Sequence, residues 1–178
     1  MPDNALIVNS GKALMGKLLC NKDVDSITHC ALGSGDATFT DPENPPAPTA
    51  EQTLLKSEFI RKTIHRSKFL VEDPEGSITV DGVTYAETLD ETNIVGIFFL
   101  FTDIEGTGQV VKEVGFFGGN VEYVEGVTGL VAENGVHDEV ENPDGEVLVS
   151  GYLYEVRNIP DFNKGANTML ELIAVVKL

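Results

Sequence analysis

The sequence predicts an α+β fold, in which two short N-terminal helices precede a mainly antiparallel, sandwich-like β-sheet domain. Three observations predict this. Apolar residues recur at helical spacing near the N-terminus, short runs of β-branched and aromatic residues dominate the remainder, and Asp-Gly and Pro-containing turns separate those runs. The 178 residues fit a single domain, 1–178, with a substantial core.

The first predicted helix covers residues 10–20. Ser10 is suited to cap its N-terminus. The apolar residues that share one helical face are Leu14, Met15, Leu18 and Leu19. The first predicted strand follows at residues 26–32 and stops at Gly33.

Residues 33–48 contain four prolines and predict an extended loop or arm, because proline cannot donate to a β-ladder. Thr49 and Gln52 then form a capping-box pattern, in which the threonine caps a helix and the glutamine reaches back to it. This pattern predicts a second, brief helix that runs to about Phe59.

The chain beyond this point alternates in the manner of β-strands. Residues 61–71 predict one strand, and residues 73–76, Asp-Pro-Glu-Gly, predict a turn. Asp81-Gly82 lies between two β-branched runs and predicts a tight hairpin.

The most apolar run, residues 93–102, predicts a central strand covered on both faces, with residues 109–117 as its paired neighbour. Residues 146–157 and 168–177 predict a terminal pair of strands, and a further turn is predicted at 142–145. The segment 169–176 is too apolar for an exposed sheet edge, so we expect it inside a sheet.

Two short signatures carry a family resemblance. The first signature is Ala-Leu-Gly-Ser-Gly-Asp at residues 31–36, followed by Pro-Thr-Ala-Glu-Gln-Thr-Leu-Leu at 48–55 and by Glu58 and Arg61. The second signature is Val-Lys-Glu-Val-Gly-Phe-Phe-Gly-Gly at residues 111–119. Together they resemble the N-terminal, virion-proximal domains of bacteriophage tail-fibre and tail-collar proteins, over roughly residues 6–120.

The resemblance implies a non-enzymatic structural component of a phage tail or tail-like particle, acting as a baseplate or collar adaptor or as a fibre-anchoring protein. Its implied location is the virion tail, after assembly in the host cytoplasm. The implied partners are further copies of the chain, with a homotrimer expected, and other tail, baseplate or fibre proteins. The alternative from another class is a receptor- or carbohydrate-binding tail-tip module.

The net charge of −17 disfavours binding to nucleic acid and to anionic membrane surfaces. Basic residues nevertheless crowd into one short stretch, and these are Lys56, Arg61, Lys62, Arg66 and Lys68. One hypothesis places this stretch and the proline arm at a subunit interface, where they face the acidic surface of the next copy. The alternative is that the cations balance carboxylates within the fold.

The motifs that could indicate a catalytic or metal site are weak throughout the chain, and we expect no enzyme activity, cofactor or bound metal. Gly33-Ser34-Gly35-Asp36 lacks the Gly-Lys-Ser/Thr ending of a phosphate-binding loop and predicts a strand exit. Cys20, His29, Cys30 and His65 lack the spacing of a zinc site. We expect the two cysteines to be unbridged, because disulfides are rare in proteins made in the cytosol.

Overall fold

The computed structural model describes residues 5–121 and 149–178, which form one α-helix and ten β-strands. The elements in chain order are β1 (Ala5–Ile7), α1 (Asn9–Leu19), β2 (Ile27–Gly33), β3 (Glu58–Thr63), β4 (Arg66–Glu72), β5 (Ile78–Val80), β6 (Val83–Thr88), β7 (Ile94–Phe101), β8 (Val110–Gly118), β9 (Tyr152–Asn163) and β10 (Leu170–Lys177).

The strands form two antiparallel sheets of five strands each. Sheet A has the order β1-β9-β8-β2-β3, and sheet B has the order β10-β7-β4-β6-β5. The largest apolar cluster contains residues of both sheets, such as Val114 and Phe116 from sheet A and Phe99 and Phe101 from sheet B. The Phe99 and Phe116 ring centroids lie 5.6 Å apart. The expectation of a β-rich, mainly antiparallel fold is confirmed, whereas the α+β assignment with two helices is wrong.

Helix α1 lies against β9 because a glycine permits close approach. A Cβ at Gly11 would lie 2.2 Å from the carbonyl oxygen of Tyr154. Leu14, one turn later, is fully buried in the main core. The capping role predicted for Ser10 is wrong, since the N-cap is Val8 and the Ser10 hydroxyl donates to the Leu153 carbonyl at 2.7 Å.

The second predicted helix does not form. Gln52 accepts a hydrogen bond from the Thr49 N–H at 3.2 Å, as in a capping box, yet only a turn follows. The N–H groups of Lys56 and Ser57 donate to the Glu113 carboxylate, so they are not available to helical carbonyls. A long-range contact therefore overrides a local helix signal.

The strand predicted over residues 61–71 is divided between the two sheets. The break falls at Ile64 and His65, two residues that pass from sheet A to sheet B. The Ile64 N–H donates to the Thr28 carbonyl of β2, and the His65 N–H donates to the Phe98 carbonyl of β7, both at 2.8 Å. This short crossover holds the two sheets together at one corner.

Strand β7 is a central strand, as predicted. It lies between β10 and β4, with Phe98 buried on one face and Phe99 on the other. The predicted pairing of β7 with β8 is wrong, because the two strands belong to opposite sheets and face each other across the core.

The predicted terminal pair is also divided, with β9 in sheet A and β10 in sheet B. Strand β10 lies at an edge of sheet B, contrary to the expectation drawn from its apolar sequence. The Asp81-Gly82 hairpin is confirmed, with φ angles of 50° and 79° that suit a tight hairpin turn. The turn predicted at 142–145 lies outside the described residues.

We expect Gly11→Ala to lower the free energy of unfolding by about 2 kcal/mol, because the new methyl group would push α1 away from β9. The matched control is Gly16→Ala in the same helix, where a Cβ meets nothing within 4 Å. That control should be neutral or stabilising by up to about 1 kcal/mol through helix propensity. Urea denaturation measures both variants, and equal midpoints for the two would contradict the proposed contact.

Candidate functional site at the junction of the two signatures

The two signatures meet on the face of sheet A that points away from sheet B. Strands β2 and β8 are neighbours, and their register places Gly33 opposite Glu113 and Ala31 opposite Gly115. Each of these pairs joins one residue of the first signature to one of the second. Segments that are far apart in sequence thus form one local structure, which we call the junction.

Glu113 is the polar centre of this structure, and its side chain is fully buried. Its carboxylate accepts hydrogen bonds from the Lys56 N–H at 3.0 and 3.2 Å and from the Ser57 N–H at 3.3 Å. The Gly35 N–H is a further donor. The carboxylate therefore pins both ends of the 34–57 loop to strand β8.

Burial raises the pKa of the Glu113 carboxyl, and the N–H groups of Ser57, Lys56 and Gly35 offset this effect only in part. A glycine at position 33 is required by the close approach. A Cβ there would lie 2.8 Å from a Glu113 carboxylate oxygen and 3.0 Å from the Ser57 carbonyl oxygen.

Arg61 is the second buried charge of the junction. Its guanidinium makes two hydrogen bonds to the Glu58 carboxylate, at 2.6 and 2.7 Å, and donates to the Ser150 carbonyl at 2.9 Å. It also lies over the Phe117 ring, 3.9 Å from the centroid. The Arg61 guanidinium of the first signature, held by Glu58, thereby packs over the Phe117 ring of the second signature.

Apolar contacts complete the junction. A Leu55 methyl carbon lies 2.9 Å from where a Cβ of Gly115 would be, so the leucine fills the space over that glycine. Leu55 belongs to a buried cluster with Ala31, Phe117, Leu153 and other residues. Packing at the junction therefore explains Gly33 of the first signature and Gly115 of the second.

The proline-rich segment lies along β9 of its own chain. The Pro42 carbonyl accepts from the Asp161 N–H at 2.8 Å, and the Pro46 carbonyl accepts from the Asn158 side-chain amide at 2.8 Å. Phe39 is buried against Gly35. In the single chain this segment serves to cover sheet A.

The five candidate interface cations do not form one strip on the surface. Arg61 is fully buried, and Lys62 donates to both carboxylate oxygens of Glu105 at 2.6 Å. Arg66 pairs with Glu87 and lies over the Phe98 ring on the outer face of sheet B. Lys56, with a side chain 47% exposed, and Lys68, which is exposed, remain accessible.

The candidate metal ligands are not brought together, since no group of three or more His, Cys, Asp or Glu side chains within residues 5–121 and 149–178 is arranged to hold an ion. Cys20 is exposed and Cys30 is buried. Burial raises the pKa of the Cys30 thiol well above its ordinary value. Cys30 thus behaves as a small core residue.

Two buried polar contacts escaped the sequence reasoning. Lys164 is fully buried and donates to the carbonyls of Thr102 at 2.6 Å and Thr168 at 2.8 Å. The second contact joins the buried Glu105 carboxylate to the Lys62 ammonium and the Thr102 N–H. Burial alone would raise the pKa of Glu105, but these two groups lower it overall. Lys62 lies 43 positions from Glu105, and Thr102 lies 62 positions from Lys164, so a local motif does not indicate these two contacts.

Comparison with protein-family models and with curated proteins finds no match for this chain. No helix in the part of the chain that the structure describes is long and apolar enough to cross a membrane.

We expect Glu113→Ala to lower the free energy of unfolding by about 3 kcal/mol, because it leaves buried N–H groups of the 34–57 loop without their acceptor. Glu113→Gln keeps an acceptor oxygen and should cost less. Glu75→Ala, in an exposed turn, is the control and should change stability by less than about 0.5 kcal/mol. Chemical denaturation tests the order of the three variants, and a neutral Glu113→Ala would refute the pinning role.

We expect His29 to make the stability of the protein depend on pH. Burial, followed by the nearby Arg61 charge, lowers the pKa of this histidine from 6.5 to about 4. The folded-state pKa lies below the unfolded one, so stability is fully present above pH 6.5 and is lost as the pH falls toward 4. The loss is on the order of 3 kcal/mol.

The measurement is the free energy of unfolding across that pH range. His29→Gln should remove this part of the pH dependence, whereas His65→Gln, at an exposed position, should keep it. Identical pH profiles for His29→Gln and the wild type would contradict the assignment.

Proposed function

We propose that the protein is a non-enzymatic structural component of a phage tail or tail-like particle, acting as a baseplate or collar adaptor or as a fibre-anchoring protein. The observation that carries this proposal is the meeting of the two signatures in one buried junction. The resemblance to tail-fibre and tail-collar domains was drawn from separate segments. Their close association supports the interpretation that they are parts of one structural unit.

The chemistry of the junction supports a structural role. A general acid, base or nucleophile must reach its substrate. The Glu113 carboxylate and the Arg61 guanidinium are fully buried and bind groups of their own chain. These polar residues of the signatures therefore stabilise the fold.

The charge distribution indicates which residues would contact a neighbouring subunit. A net charge of −17 leaves a strongly acidic surface, and a neighbouring subunit needs cations to meet it. The accessible members of the basic stretch are Lys56 and Lys68, with Arg66 partly exposed. We propose these three as contacts to the next copy in a homotrimer or to another tail protein.

The direct test is to purify tail-like particles from a lysate of the producing strain and to identify their proteins by mass spectrometry. An antibody against the chain should also label one end of the tail in electron micrographs. Absence of the chain from intact particles would refute the proposal. Binding of the isolated protein to receptor glycans on an array would support the tail-tip alternative.

We expect the double charge reversal Lys56→Glu with Lys68→Glu to reduce incorporation into particles while leaving the circular dichroism spectrum unchanged. The matched control is Lys12→Glu with Lys22→Glu, at two exposed positions with the same change of net charge. Exposed pairs each contribute about 1 kcal/mol or less, so the loss should be partial and larger at low salt. Equal incorporation of both double variants would show that the basic stretch only balances charge within the fold.

A further inference from the structure

Strand β10 is an unusual sheet edge. Among the described residues, β7 is its only paired strand. The pairing runs over all eight residues, 170–177, without a register shift. Four of its apolar residues are only half-buried, and these are Leu170, Leu172, Ile173 and Val175. Long, regular, apolar edges are templates for pairing with another chain.

The other edge strands of the two sheets differ from β10. Strands β1 and β5 have three residues each, and short edges offer little backbone for pairing. Strand β3 carries Glu58, Arg61 and Lys62, and its end crosses over to the other sheet. Of the described edges, β10 alone combines length with an apolar sequence.

The charges of β10 are self-complementary. The strand contains one anion, Glu171, and one cation, Lys177, and both lie on the outer face of sheet B. If two copies of β10 pair antiparallel about a two-fold axis at Ala174, each Glu171 lies directly opposite the Lys177 of the other copy. A shift of the axis by one residue in either direction removes both opposite-charge pairs.

The same register pairs the apolar residues. Ile173 lies opposite Val175 of the second copy on the outer face, and Leu172 lies opposite Val176 on the inner face. Cross-strand pairs of β-branched and other apolar side chains stabilise a sheet. The small side chain of Ala174, which lies at the axis, avoids crowding there.

Existing ion pairs of the chain extend the pattern. Arg66 lies between Glu87 and Glu171, 3.6 Å from the latter, and Lys177 binds Glu72 at 2.7 Å. Across the two-fold axis this produces a row of alternating charge: Glu87, Arg66 and Glu171 of one copy, then Lys177 and Glu72 of the other.

We infer that β10 is a docking strand for a second copy of this chain, and that two copies join their B sheets antiparallel into one ten-stranded sheet. An interface of this kind is isologous, so it closes as a dimer. The inference differs from the homotrimer expected from the family resemblance, and it does not depend on a role in phage tails.

The test is a charge-swap cycle measured by sedimentation equilibrium over a wide range of concentration. The wild type should fit a monomer–dimer equilibrium. Glu171→Lys alone and Lys177→Glu alone should each raise the dimer dissociation constant roughly tenfold, because two attractive pairs become repulsive. The double variant Glu171→Lys with Lys177→Glu should return the constant to within a fewfold of wild type.

The return in the double variant separates this inference from a purely internal role of the two residues. They lie six positions apart on one strand, about 20 Å, so they do not contact each other within one copy. Inside the chain, the double swap places like charges beside Arg66 and Glu72, so an internal role predicts additive damage. The controls for net charge are Glu75→Lys and Lys12→Glu, which should leave the dissociation constant unchanged.

A wild-type protein that stays monomeric, or a double variant weaker than both single variants, would overturn the inference. A trimer would also overturn it, while leaving the proposed tail function intact. Conversely, a dimer with the expected swap behaviour that is absent from tail particles would support the docking strand and refute the tail function.

Discussion

Burying a carboxylate is costly unless hydrogen-bond donors surround it, and Glu113 meets this condition with backbone N–H groups from two places in one loop. The donors at Gly35 and at residues 56–57 must therefore lie side by side. That requirement ends strand β2 at Gly33, prevents a helix before Glu58 and brings Leu55 onto Gly115. The placement of one side chain thus fixes both ends of the 34–57 loop, while contacts of Pro42 and Pro46 with β9 hold its middle.

Several cations of the chain lie over aromatic rings. Arg61 lies over Phe117, Arg66 over Phe98 and Arg157 over Phe116. In each case an ion pair with a carboxylate holds the guanidinium in place over the ring. The chain has few basic residues, and several of them thus cover aromatic side chains.

The sequence was sufficient for features that depend on near neighbours. The Asp81-Gly82 hairpin needs only two residues with positive φ, and β7 is recognisable as a central strand because both of its faces are apolar. The spacing of its apolar residues also predicts helix α1, although not the residue that caps it. The junction could be foreseen only as two resembling signatures, because nothing local indicates that Glu113 binds the amides of residues 56 and 57.

The errors in strand pairing share one physical cause, which is that the chain passes from one sheet to the other between strands that are neighbours in sequence. Residues 61–71 read as one strand, since the alternation continues through Ile64 and His65 while the chain changes sheets. Neighbours in sequence, β7 with β8 and β9 with β10, were expected to pair and instead lie in opposite sheets. Lys164 could not be found at all, because its partners are carbonyl groups.

The pairing of β1 with β9 has a consequence for synthesis on the ribosome. Leu6 pairs with Val156, and the helix that follows β1 packs on the same late strand. At about 5–20 residues per second, the N-terminal segment waits on the order of ten seconds before its partner is made. During that interval Leu6 and the apolar face of α1 are without their native cover. Newly made chains are therefore candidates for chaperone binding until β9 has emerged.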